Sequence, residues 1–298
     1  MRRVVYGFIL FFAAMISLAA GGLIWAVAVC FASVMCGLEF IAMTKAKGMK
    51  PSPRLIIGMI IAFFALAAVP EIPGLNISHD FPLDHYPLLL TVGVCAAFFR
   101  LLFRHENPPA TMADIATTVL GFIYVGWLPS HLVLMRNLIP PGTVEPANPV
   151  MQPGLAYVWA CLFIVFATDV FAYYVGKHFG KRLLYPQISP KKTIEGALGG
   201  LVAAIFWATV VVYSADTWVF SNKPFGDMIW QAPLMGLVVS IGTQLGDLCE
   251  SLLKRDAGMK DSGNLIPGHG GFLDRGDGMI FAGAISYYWV CAVVLGIL

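Results

Sequence analysis

The chain has 298 residues, 58% hydrophobic and only 12% charged, with a formal net charge of +2. Soluble domains carry roughly 25% charged residues, so this composition excludes a soluble globular domain. A mean hydropathy of +0.78 with repeated apolar runs points instead to a polytopic, all-α integral membrane protein. So small a net charge, without a basic tail, gives no reason to expect nucleic acid as a partner. Cys30, Cys36, Cys95, Cys161, Cys249 and Cys291 are scattered and form no C-x-x-C pair. They read as packing residues and suggest neither a zinc site nor a redox pair.

Arg2 and Arg3 precede an apolar run in the manner of a signal peptide, but a second long span follows almost at once, so a retained first helix is expected. The apolar segments predict about nine transmembrane helices, at 4–20, 22–43, 55–70, 86–103, 113–135, 154–176, 198–220, 232–253 and 279–297. With the N-terminus cytoplasmic, this arrangement puts 17 of the 19 lysines and arginines inside, leaving only Arg136 and Lys223 outside. The C-terminus is then expected outside. The outer loops 71–85 and 137–153 show no catalytic pattern, and His79 and His85 read as solvated. No internal repeat is evident, and no stretch between spans is long enough for a soluble domain. The chain therefore divides into an N-terminal membrane scaffold, 1–153, of about five helices, and a catalytic region, 154–298, of about four helices with two cytoplasmic loops.

Asp169 lies in the sixth apolar segment, followed by Tyr173 and Lys177. At the helical rise it sits about 12 Å deeper than Lys177, and an acid at that depth is a functional candidate. The loop that follows contains Ser189-Pro190-Lys191-Lys192-Thr193-Ile194-Glu195-Gly196. This reads as a proline-fixed turn presenting hydroxyls and ammonium groups before a helix, which suits an anionic oxygen cluster such as phosphate.

The stretch from Gln244 to Gly278 holds six of the chain's seventeen acids: Asp247, Glu250, Asp256, Asp261, Asp274 and Asp277. Gln244, Asp247, Glu250, Ser251 and Lys254 form one polar stripe on a helix. Asp247 lies about 10 Å inside Lys254, near the depth of Asp169, which suggests one shared cavity. Beyond the stripe, glycines permit tight turns among Lys260, Asp261, His269, Asp274, Arg275 and Asp277. Carboxylates suit magnesium, which usually takes one or two of them together with substrate phosphates. The mixture reads as a metal-assisted phosphoryl or nucleotidyl transfer site rather than a hydrolase triad.

The run Ser251-x-Leu253-Lys254-Arg255, Lys260-Asp261-x-Gly263, Ile266-Pro267-x-His269-Gly270-Gly271-Phe272, Asp274-Arg275-x-Asp277 resembles the signature of the phosphatidate cytidylyltransferases (CDP-diacylglycerol synthases). The loop at Ser189–Gly196 and Asp169-x-x-Ala172-Tyr173 resemble the same family, and Glu39 fits its looser N-terminal pattern. The chain departs from that pattern at Gly276 and at Val170-Phe171, neither of them a candidate ligand.

The resemblance implies the reaction of CTP with phosphatidate to give CDP-diacylglycerol and pyrophosphate, in phospholipid biosynthesis. It implies magnesium at Asp247 and Asp274, with Asp169, Glu250, Asp261 and Asp277 as further metal candidates and potassium sharing the centre. Catalytic candidates are Asp247, Asp274, Lys254, Arg255, Lys260 and His269. Substrate-binding candidates are Ser189, Lys191, Lys192, Thr193, Glu195, Ser251 and Arg275. The expected partners are CTP, phosphatidate, the lipid bilayer and a second copy of the chain, since the family is thought to be dimeric. The expected location is the bacterial inner membrane, with the site facing the cytoplasm. Two alternatives use many of the same residues: a CTP-dependent polyprenol or phytol kinase, and a cation-coupled transporter.

Overall fold

A segment crossing a bilayer must satisfy its own backbone hydrogen bonds, and for a single continuous apolar run that means helix. The structure, a computed structural model, describes residues 12–72, 81–104, 109–141, 148–220, 223–226, 230–263 and 270–297, without the side chains of 81–83. Among the described residues, eight helices are long and apolar enough to span a membrane. They are α1 (Gly22–Ala46), α2 (Pro53–Glu71), α3 (Asp84–Leu102), α4 (Met112–Arg136), α5 (Pro153–Phe179), α6 (Ile194–Val219), α7 (Gln231–Asp256) and α8 (Leu273–Val294). Each coincides with one of the expected segments from 22–43 onward, so the chain is an all-α polytopic membrane protein. The expected first span, 4–20, falls mostly outside the described residues. Its last part, 12–20, is helical and ends at Gly21 with φ 65°.

Local chemistry sets the helix starts. Proline occupies the first turns of α2 and α5, where no amide donor is needed. At α4, Thr111 and Asp114 form a reciprocal capping box. The Thr193 side chain accepts from the Gly196 amide at 3.1 Å and so caps α6.

One expectation is corrected. Ser189–Thr193 is a strand (β2), not a turn, and pairs antiparallel with Leu183–Tyr185 (β1) in a two-stranded hairpin. The reversal lies between them, where the Ile188 amide donates to the Tyr185 carbonyl. Pro190 is tolerated because both strands of such a hairpin are edges.

The chain forms two compact units: Met1–Val133 with Leu253–Gly276, and Leu134–Leu252 with Asp277–Leu298. In the first, α1 to α4 enclose Phe40, Ile56, Ile60, Phe63 and Phe122, all essentially inaccessible. The Tyr86 hydroxyl there donates to Ser130 Oγ at 3.0 Å. In the second, α5 and α6 pack closely through small residues. A β-carbon on Gly196 would stand 2.7 Å from the Ala172 carbonyl oxygen, and one on Gly200 2.6 Å from that of Thr168. Arg136, one of the two basic residues expected outside, is wholly buried in this unit. Its guanidinium donates to Gln152 Oε1 at 2.7 Å and to the Pro149 carbonyl at 2.8 Å. Those partners give it a structural role.

Candidate active site

In the second unit the cytoplasm-expected end of α5, the hairpin, the start of α6 and the middle of α7 surround a cavity of about 600 Å³. Asp169, Lys177, Lys191, Lys192, Gln244 and Asp247 are among its lining residues. Helical spacing explains the α5 contribution: Asp169, Tyr173 and Lys177 recur every four residues and share one face. The Lys177 ammonium stands 5.9 Å from the centre of the Tyr173 ring, within cation–π range. Below Asp169, Thr168 is buried and donates to the Ile164 carbonyl at 2.7 Å, with Ser240 Oγ 2.9 Å away, so α5 is tied to α7 beneath the cavity.

The hairpin presents its lysines to this cavity because its base is fixed. Glu195 Oε2 accepts from the amides of Lys181 at 3.0 Å and Arg182 at 3.1 Å, while Oε1 accepts from Arg182 Nε at 3.1 Å. Glu195 is thus committed to the loop backbone. Lys192 forms an ion pair with Asp247, and Gln244 Nε2 donates to the Ala197 carbonyl at 3.2 Å. The α7 stripe therefore meets the hairpin through both a charge and an amide.

Asp277 approaches α7 because two glycines let α8 come close. A β-carbon on Gly246 would stand 2.9 Å from the Asp277 carbonyl oxygen, and one on Gly278 2.8 Å from Thr243 Cγ2. Asp277 Oδ1 accepts from the Gly278 amide at 2.7 Å. Glu250 is wholly buried on α7. Asp169, Lys191, Lys192, Thr193 and Asp247, expected to act together, thus line one cavity. Ser189 stands at the start of β2 outside this lining.

A second cluster lies in the first unit. Asp274 Oδ1 accepts from Lys254 Nζ at 2.7 Å, and Oδ2 accepts from the amides of Gly271 at 2.9 Å and Ser262 at 3.0 Å. Behind it, buried Glu39 of α1 accepts from Ser262 Oγ at 3.0 Å, the Phe272 amide at 3.0 Å and the Leu273 amide at 2.8 Å. The last two amides open α8, where a carboxylate satisfies otherwise unpaired donors and complements the helix dipole. Ser251 is half-buried, whereas Arg255, Lys260, Asp261 and Arg275 are exposed; Arg255 Nη1 donates to the Met259 carbonyl at 3.4 Å. His269 lies outside the described residues.

The sequence reading gave Glu39 little weight and missed Ser262. An acid inside an apolar helix was a usable signal for Glu39; Ser262 carried none. Among the described residues no group of three or more His, Cys, Asp or Glu side chains is placed to hold a metal ion. The donor chemistry at Asp169 and Asp247 nevertheless fits magnesium, because hard carboxylate oxygens face a cavity that also holds two phosphate-seeking lysines.

The model of the cytidylyltransferase family matches residues 1–293. The chain is 35% identical over 268 residues to the phosphatidate cytidylyltransferase of Synechocystis sp., covering 85% of this chain and 83% of that one. It is 33% identical over 296 residues to the chloroplastic phosphatidate cytidylyltransferase 4 of Arabidopsis thaliana, covering 91% and 68%. Against the phosphatidate cytidylyltransferase of Bacillus subtilis it is 38% identical over 178 residues, covering 60% and 59%. The match extends through both loops and the helices that carry them, and the chain belongs to the cytidylyltransferase family.

Proposed function

We propose that this chain transfers the cytidylyl group of CTP to phosphatidate, releasing pyrophosphate and forming CDP-diacylglycerol. The observation that carries this reading is the single cavity in which Asp169 and Asp247 stand with Lys191 and Lys192. In the reaction an oxygen of the phosphatidate phosphate bonds to the α-phosphorus of CTP. The bond from that phosphorus to the bridging oxygen of the β-phosphate breaks, and the electron pair leaves with pyrophosphate. A phosphate monoester is already anionic at neutral pH, so no general base has to remove a proton.

Lys191 and Lys192 neutralise triphosphate charge, the largest obstacle to approach of one phosphate by another. In the structure Lys192 holds Asp247, so an arriving phosphate exchanges one anion for another at Lys192 and frees the carboxylate. Glu195 and Thr193 keep the hairpin at the mouth of α6. Magnesium held by Asp247, with Asp169 and Asp277 beside it, would supply charge neutralisation and polarise the reacting phosphoryl group. Glu250 belongs to the same proposal as a residue ordering cation ligands, with potassium as a second cation; Asp261, on the exposed loop of the first unit, is assigned the same role there. In its own unit Asp274 is a further cation ligand, with Lys254 as the counter-ion a metal would displace. Arg255, Lys260, His269, Ser251, Ser189 and Arg275 are assigned to phosphate contacts. The site faces the cytoplasm, where CTP is available, and the enzyme works as a homodimer; the mass of the detergent-solubilised particle tests that assembly.

The test is purified protein with radiolabelled CTP, phosphatidate and magnesium chloride, scored for lipid-soluble cytidine and for pyrophosphate. Asp247→Asn is expected to lower turnover by about 10²–10³-fold while leaving the elution profile in detergent unchanged. Full magnesium-dependent turnover in that variant would remove Asp247 from the site. Release of CDP in place of pyrophosphate would identify a lipid kinase.

A further inference from the structure

A second cavity, of about 570 Å³, lies in the first unit where α1 gives way to α2 and α3 ends. Its lining includes Pro51, Ser52, Arg54, Phe99, Arg100 and Arg104. The proposed transfer chemistry uses none of these residues. Its walls are fixed: the Ser52 amide donates to Thr118 Oγ1 at 3.0 Å, and Arg104 Nη1 donates to the Lys50 carbonyl at 2.9 Å. The nearby acid, Asp114, is buried, accepts from the amides of Lys50 and Thr111 and interacts electrostatically with Arg104 alone of the three arginines. Arg54 and Arg100 are exposed and make no hydrogen bond or ion pair with the described residues.

Arginines at helix ends commonly set orientation and snorkel toward the headgroups. That accounts for positive charge at this level but not for three guanidinium groups around one walled cavity. Like charges held together call for an anion, and guanidinium forks match phosphate oxygens in pairs. The adjoining surface of α3 is apolar and open, with Phe99 60%, Leu102 73% and Phe103 69% exposed. Phosphate-binding charge beside exposed hydrocarbon describes one ligand class.

We propose that this cavity binds the phosphate of an anionic glycerophospholipid, with Arg54, Arg100 and Arg104 around the headgroup and the acyl chains along Phe99 and Phe103. The site is separate from the cytidylyl-transfer cavity and does not depend on that assignment.

The experiment is native mass spectrometry of the purified full-length chain in detergent. It compares dioleoyl phosphatidylglycerol, dioleoyl phosphatidylcholine and inorganic phosphate as probes. Phosphatidylglycerol is expected to bind in preference to phosphatidylcholine. Arg54→Gln and Arg100→Gln are each expected to weaken its binding about fivefold, while Lys45→Gln, an equal loss of charge on exposed α1 surface, changes it less than twofold. Both arginine variants are expected to keep wild-type CTP-dependent turnover, which shows that they fold. Equal binding of the two lipids, or equal loss in Lys45→Gln, would overturn the site in favour of general surface charge. Displacement of phosphatidylglycerol by millimolar inorganic phosphate would overturn the lipid assignment in favour of a free-anion site.

Discussion

Gly271 sits where a β-carbon would overlap both Ser262 Oγ and the Glu39 carboxylate, whereas Gly276 has nothing within 4 Å. The two glycines are five positions apart in one motif and face opposite constraints. Gly271→Ala is expected to destabilise the protein by about 1–3 kcal/mol and to lower turnover with it, since the displaced loop carries the donors to Asp274. Gly276→Ala is expected to leave both unchanged. Thermal unfolding in detergent followed by tryptophan fluorescence, with the cytidylyl-transfer assay alongside, distinguishes them; equal losses would mean that the Glu39 network does not set the loop. The open space at Gly276 leaves that position with no steric requirement for glycine. The meeting of Asp169 and Asp247 in one cavity was legible in the sequence because helical rise converts residue spacing into depth, whereas Lys191 and Lys192 were legible only as a loop suited to phosphate. The partners of Glu39 were not, because they lie 223 to 234 positions away and no periodicity reports a contact of that range.

At the scale of elements, the apolar runs fixed the helices almost unaided, since hydrocarbon leaves the chain no other local structure. The hairpin escaped because its strands are three and five residues long and neither alternates apolar with polar residues. Proline at 190 also argued for a turn. Glu195 and Thr193 tie the hairpin to the start of α6, and α6 is in turn seated by its close packing on α5, so that packing is open to test. Gly200→Val is expected to force the helices apart and to cost about 1–3 kcal/mol. It would also draw the lysines of β2 away from Asp247, so the apparent affinity for CTP falls together with the unfolding temperature. A destabilised variant with unchanged CTP affinity would show that hairpin placement does not depend on this contact.

Across the whole molecule, sidedness is set by where the basic residues fall between spans. In a cysteine-free background, single cysteines replacing Lys181 and Asn148 are expected to react oppositely with a membrane-impermeant maleimide: Asn148→Cys in intact spheroplasts, Lys181→Cys only in inverted vesicles. The reverse pattern would turn the protein over in the membrane. The sequence divided the chain at residue 153, by where its chemistry lies. Packing instead joins Leu253–Gly276 to the N-terminal helices, because Glu39 supplies the acceptor for the amides that open α8. The loop around Asp274 is therefore completed by a helix far from it in the sequence. A gene fragment beginning at residue 154 would inherit both loop motifs and lose the side chain that folds one of them. The smallest portion of this protein that evolution could move intact to another chain is accordingly much larger than its motifs suggest.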